Sequence, residues 1–350
     1  MTRWLCTNFQ WQWCLVLLVF FLGGCAETYT PGQLPGTMIR GAWVAKNDTE
    51  PVLGTPTTST TQKMKAVGIR WVAIGPEVTM LDVTKPVMTF GEDDEDYRKY
   101  IRHARKQGMD VFLMPRIESP SFFKPPFPFR ADIAMKTEKD RDTFYANYLK
   151  MLLHYGKMAQ EEGVAMFGIG LEYRKLVKTS PQRWRDMIKE VRKVYKGKLT
   201  YSANWYLEYE EVTFWDALDT IGIGAYFEIG DGPNNHLNFL IYRWRPIVAR
   251  LRALSKKVNR PVLFTEIGYT AFHDAARFPW KWQDDLDRPV NTEHQADCLR
   301  AAFYVFSQEP WFQGFLLWRI YTDSSDRPQA DYHLLGKPSE KVIQEWFAMP

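Results

Sequence analysis

Eight short β-rich runs, each followed by a loop and then a helical pattern, predict an α/β protein built as a single (β/α)8, or TIM, barrel. The runs are almost continuously apolar, as strands covered on both faces are, which implies parallel pairing. The eight units fill residues 38–350 of a 350-residue chain. A doubly wound open sheet is the alternative. It needs a glycine-rich first turn, and the candidates "GIGLEY" and "GIGAYF" lack the third Gly and open no helix.

The strands are read in order as "MIRGAWV" from Met38, "IRWVAIG" from Ile69, "DVFLMP" from Asp110 and "AMFGIGLE" from Ala165. "LTYSAN" from Leu199, "TIGIGAY" from Thr220, "PVLFTE" from Pro261 and "GFLLW" from Gly314 follow. Helices between them carry start and stop signals. "GEDDEDYRKYIRHARKQG" opens on acids, which suit a helix N-terminus, and closes on Gly108. The next has Thr137 as N-cap and Gly163 as stop. Another has Ser180 at the cap and Pro181 at the first helical position. Thr292 and Gln295 read as a T-x-x-Q capping box. "KPSEKVIQEWF" is a short closing helix.

Ahead of the barrel lies a different kind of segment. "CLVLLVFFL", Cys14 to Leu22, is too short to span a bilayer and has the length of a signal-peptide core. "LGGC", Leu22 to Cys25, resembles the bacterial lipobox. Residues 1–24 are therefore expected to be a signal peptide, Cys25 a lipidation site, and residues 25–37, with Pro31, Gly32, Pro35 and Gly36, a tether. The expected location is the bacterial cell envelope, held to a membrane through Cys25. Ala26 after the cysteine points to the outer membrane if the cell is Gram-negative.

Composition narrows the function. Net charge is +4, from 45 basic and 41 acidic residues, with no basic stripe of the kind nucleic-acid binding needs. Aromatic residues make up 15% of the chain, 14 of them Trp, which fits either a large core or a site lined with flat rings. Cys298 falls in a helical pattern and reads as a buried free thiol. The six His form no H-E-x-x-H, no cysteine spacing resembles a zinc site, and G-x-S-x-G and Walker motifs do not occur. No metal or organic cofactor is implied.

Barrel enzymes place their chemistry at the C-terminal ends of the strands. Here those ends carry Trp43, Glu77, Arg116 with Glu118, Glu172, Asn204 with Trp205, Tyr226, Glu266, and Trp318 with Arg319. One rim thus gathers acids, guanidinium groups, an amide and large rings. Glu266 interrupts the apolar run "VLFTEIGYT", and a carboxylate there is costly to desolvate unless it is paired or used. Two carboxylates facing each other without a metal motif point to glycoside hydrolysis, one as proton donor and one as nucleophile or base. Rings would stack on sugar faces while Arg, Asn and Tyr bond hydroxyl groups. Glu77 and Glu118 read as solvated or salt-bridged.

At its fourth and seventh strands the chain resembles a clan of retaining glycosidases on (β/α)8 barrels. Within that clan it is most similar to glycoside hydrolase family 113, whose characterised members are β-mannanases. The resemblance is carried by "FGIGLEY", "LTYSANW", "FWDALDTIGIGAYF", "RPVLFTEIGYTAFHDAARFPWKW" and "GKPSEKVIQEWF", and it covers nearly all of residues 38–350. It implies Glu172 as general acid/base and Glu266 as nucleophile. It implies Tyr226 as the partner that keeps Glu266 ionised, and Asn204, Trp205, Trp280, Trp282 and Trp318 as walls of the sugar subsites. Two positions depart from the family: Leu171 stands where a small polar residue is usual, and "MPRIE" replaces a pattern nearer "KPHID". The expected substrate is a β-linked polysaccharide or oligosaccharide, with β-1,4-mannan one candidate. An exo-acting β-glycosidase of other specificity, an inactive glycan-binding surface lipoprotein and a structural envelope protein remain as alternatives.

Overall fold

The computed structural model of the chain describes residues 32–45, 58–126, 128–281, 288–322 and 329–348. Eight parallel strands close into one barrel. They are β1 (Ile39–Ala45), β2 (Trp71–Ile74), β3 (Asp110–Leu113), β4 (Met166–Leu171), β5 (Lys198–Asn204), β6 (Thr220–Gly224), β7 (Val262–Ile267) and β8 (Phe312–Tyr321). Each pairs with its neighbours in chain order, and β1 pairs with β8 to complete the ring. Every residue of β4, β6 and β7 is buried, so the continuous apolar runs have the cause expected of them: helices outside and a packed axis inside.

The axis is filled by Ile39, Ala73, Phe112, Met114, Met166, Leu263 and Leu316, a cluster distinct from the larger strand–helix core. Small residues make room for these side chains. A Cβ on Gly41 would meet Leu316 Cδ2 at 2.4 Å, and one on Gly168 would meet Met114 at 2.6 Å. The upper interior turns polar. Ser202 and Thr265 share a hydroxyl hydrogen bond of 2.6 Å, and Thr200 Oγ1 donates to the Thr220 carbonyl at 3.0 Å. These partners leave no buried hydroxyl of that group unpaired, which is what makes a polar layer tolerable inside a barrel.

All eight predicted strands are present, with boundaries shifted by a few residues. The segment after β3 differs in kind. Arg116–Glu118 leaves the barrel and pairs in parallel with Glu77–Thr79 as a separate two-stranded ribbon above the rim. Thr137 caps its helix by accepting from Asp140 N at 3.1 Å, and Ser180 precedes Pro181 at the next helix start. The predicted T-x-x-Q box is corrected. Asn291 is the N-cap, accepting from His294 N at 3.0 Å, and Thr292 is the first helical residue. Gln295 instead turns inward and donates to the carbonyls of Tyr269 and Asp331. The 22-residue helix Leu237–Val258, with Pro246 inside it, has no side-chain cap at its start and ends on Asn259 in the left-handed conformation. Cys298 is a buried free thiol. Cys25 and the leader lie outside the described residues. Among the described residues no helix is long and apolar enough to cross a membrane.

Candidate active site

β4 ends at Leu171, and the next residue, Glu172, has φ +58°. That left-handed conformation is unfavourable for a residue with a side chain, by about 1–2 kcal/mol. It is held from both sides. Glu172 N donates to the Ser202 carbonyl at 2.9 Å, and Tyr173 N donates to Tyr201 Oη at 2.6 Å. A register shift between Gly168 and Leu171 re-aims the strand end over the barrel mouth. The Glu172 carboxyl accepts from Asn204 Nδ2 at 2.8 Å, and its Oε1 lies 3.5 Å from where a Cβ on Gly224 would stand.

Glu266 stands one strand beyond. In the sheet register Asn204 pairs with Gly224, and Gly224 pairs with Glu266. The Glu172 carboxyl therefore lies over the residue laterally bonded to Glu266, and neighbouring strands are ~4.8 Å apart. Tyr226 Oη donates to Glu266 Oε2 at 3.1 Å. Trp43 Nε1 donates to the carbonyl of Thr265 at 2.7 Å, so the first strand braces the seventh beside its acid. Both carboxyl residues are buried at the bottom of the mouth, Glu172 at 7% and Glu266 at 9% exposure.

Rings surround them. Trp43 and Trp318 pack at 5.7 Å between centroids and, with Arg116, Arg319, Tyr97 and Gly75, line a cleft on the β1–β2 and β8 side. On the other side Trp205 stacks on Trp280 at 5.5 Å and 25°, and meets Tyr226 edge-on at 5.6 Å. Trp280 is more than one-third exposed, so this pair reaches from the mouth to the surface.

The electrostatics couple the two acids. Burial raises the pKa of Glu172, opposed by the Arg130 charge and the bond from Asn204. Burial also pushes Glu266 up to about 8, reinforced by the Glu172 charge and opposed by Arg130, Tyr226 and Arg116. The family resemblance implies that Tyr226 keeps Glu266 ionised. Both are raised, because both are buried, and the Glu172 charge raises Glu266 further. The pair therefore resists carrying two negative charges.

The basic residues that follow Glu172 in sequence pair elsewhere. Arg174 pairs with Glu211 at 2.7 Å and Lys175 with Asp132 at 2.8 Å, away from Glu172. Glu118 takes Arg130, and Arg116 lies 3.5 Å from it. Of the ten sequence-predicted catalytic and sugar-contacting residues, nine gather at this mouth. Trp282 lies outside the described residues. Arg130 was missed. It sits in a single turn, Arg130–Asp132, between Pro-rich loop residues, where no periodicity marks it. Burial works against its charge, but Glu118 and Glu172 hold it protonated. Glu208 was also missed, because "EYEE" reads as a solvated charge run. Among the described residues, no group of three or more His, Cys, Asp or Glu side chains is arranged to hold a metal.

Three comparisons bear on this arrangement. The model of Glycoside Hydrolase Family 113 matches residues 43–337. A GH113 β-1,4-mannanase structure superposes with TM-score 0.74 at 25% identity, covering 89% of this chain and 98% of that one. The GH113 β-mannanase of Alicyclobacillus acidocaldarius, in complex with ManMIm, matches with TM-score 0.74 at 26% identity, covering 89% and 97%. A β-glucuronidase from Ruminococcus gnavus, at 13% identity and TM-score 0.57, covers 89% of this chain and 50% of its own, a likeness of fold alone. No curated protein matches the sequence.

Proposed function

Because this chain belongs to Glycoside Hydrolase Family 113 and is thus a glycosidase acting on O-glycosyl bonds, we propose that it hydrolyses a β-linked mannan or manno-oligosaccharide with retention, through Glu172 and Glu266. The observation that carries this is the pairing of two buried carboxyls at the ends of β4 and β7, one lying over the lateral partner of the other. Retaining enzymes need carboxyls about 5–5.5 Å apart, and inverting ones about 6.5–9.5 Å. The lateral placement and the mutual charge repulsion favour the shorter class.

In the first step Glu266 attacks the anomeric carbon while Glu172 gives its proton to the departing glycosidic oxygen, whose bond to that carbon breaks. In the second, Glu172 takes a proton from water, the water oxygen attacks the same carbon, and the ester bond to Glu266 breaks. A single negative charge on the pair suits the start of this cycle. Positive charge developing at the anomeric carbon, together with the Tyr226 hydroxyl, draws that charge onto Glu266 and leaves the proton on Glu172. Asn204, Arg116 and the Trp43–Trp318 and Trp205–Trp280 pairs supply polar and stacking contacts. The mannan assignment is supported by the GH113 β-mannanases it resembles in fold and sequence.

Purified protein lacking residues 1–24 should release oligosaccharides from β-1,4-mannan, with the β-anomer appearing first by proton NMR. Glu266→Gln should abolish turnover of dinitrophenyl β-mannobioside, and full activity in that variant would end the assignment. Action on glucan or xylan but not mannan would move the substrate and leave the two acids in place. On the sequence alone we also propose export and lipid attachment at Cys25.

A further inference from the structure

Four residues outside the proposed catalytic pair connect into a closed circuit around Glu172. Glu208 is fully buried at the start of the short helix Glu208–Glu211. Its carboxyl reaches back to the barrel, where Oε1 accepts from Tyr201 Oη at 2.5 Å and Oε2 accepts from Asn204 N at 2.9 Å. Tyr201 Oη in turn accepts from Tyr173 N, the residue after Glu172. Asn204 Nδ2 donates to Glu172 Oε1. The loop of bonds therefore runs from the backbone beside Glu172, through Tyr201, Glu208 and Asn204, to the Glu172 carboxyl itself.

We propose that Glu208, acting through Tyr201 and Asn204, is a positioning residue that clamps both the backbone and the carboxyl of Glu172. The assignment rests on Glu172 being the acid/base. Three features argue against a merely structural acid. Glu208 has no cation among its hydrogen-bond partners, although burial pushes its pKa up to about 8. Tyr201 Oη and Asn204 N each donate to it, so each carboxyl oxygen is used as an acceptor. And both bonds end one step from a residue held at φ +58°, a conformation that must be supported from outside. A glutamine at 208 can keep one acceptor and must turn its amide toward the other donor.

General-acid help matters most when the leaving group is poor, and it contributes about a hundredfold to ten-thousandfold. The test compares kcat/KM for phenyl and dinitrophenyl β-mannobioside in Glu208→Gln and Tyr201→Phe, with Glu172→Gln as reference. In both clamp variants we expect the phenyl substrate to lose about tenfold to a hundredfold while the dinitrophenyl substrate loses less than about threefold. Where Glu172→Gln itself shows leaving-group selectivity, equal loss on both substrates in the clamp variants, or none, overturns the clamp. Tyr201→Phe removes one hydroxyl and keeps the buried acid, which guards against a variant that fails to fold. A second readout needs no substrate. The carboxyl titration of Glu172, identified in carbon NMR by its absence in Glu172→Gln, should move to higher pH in Tyr201→Phe, which keeps the Glu208 charge, because the Asn204 bond that favours the ionised form is loosened. An unmoved midpoint overturns the clamp whatever the kinetics. If Glu172→Gln shows no leaving-group selectivity while the midpoint still moves, the clamp stands and the acid/base reading falls.

Discussion

Glu266 is costly to the fold at the pH where the proposed mechanism needs it ionised. Its folded-state pKa, about 8, lies above the ordinary value of 4.5. The folded state then binds more protons than the unfolded state across that window. Stability linked to Glu266 is complete below the ordinary value and is lost as pH rises toward 8 and beyond. Glu266→Gln should therefore raise the melting temperature at alkaline pH, by about 2 °C for each kcal/mol relieved, and leave it unchanged under acid conditions. A scan of melting temperature against pH for the two proteins checks this, and a variant less stable than wild type at alkaline pH would contradict it. Glu172 and Glu266 were legible in the sequence because each ends an apolar run. Arg130 and Glu208 were not, since a short turn and a charged tetrapeptide look alike whether solvated or buried.

At the scale of the strands, the glycines of the barrel set limits that helix propensity and capping do not. A Cβ on Gly222 of β6 would fall 2.4 Å from the Tyr201 backbone carbonyl, which has no rotamer to yield, and 2.9 Å from Thr265 Cγ2. Gly222→Ala is expected to destabilise the protein by about 1–3 kcal/mol, read from thermal or urea unfolding. It should also reduce activity, because β6 lies between the strands that carry Asn204 and Glu266. A wild-type melting temperature in this variant would show that the interior relaxes freely. Strand identity was readable because period and apolar content both survive in one sequence. The cap at Asn291 was not, since Asn291 and Thr292 are both good N-caps and only the turn geometry chooses between them. The ribbon formed by Glu77–Thr79 and Arg116–Glu118 was hidden because three residues per strand are too few to show alternation.

The whole barrel was legible because eight repeated units leave few ways to cover a parallel sheet on both faces. The proposed attachment to a membrane rests on residues 1–37, of which the structure describes the last few. Cys25→Ala in the full-length chain should shift the protein from the detergent phase to the aqueous phase on Triton partitioning, with catalytic activity unchanged. Retention in the detergent phase would place the anchor elsewhere. The two indole pairs of the mouth, Trp43–Trp318 and Trp205–Trp280, carry a consequence of another kind. Indoles this close share their excited states, so each pair forms a coupled chromophore. One is buried within the mouth and the other is open to solvent through Trp280. A sugar entering the mouth would perturb the circular dichroism and fluorescence of both pairs, and water would quench the open one more than the buried one. Cleft occupancy would thus be readable from the protein's own indole bands.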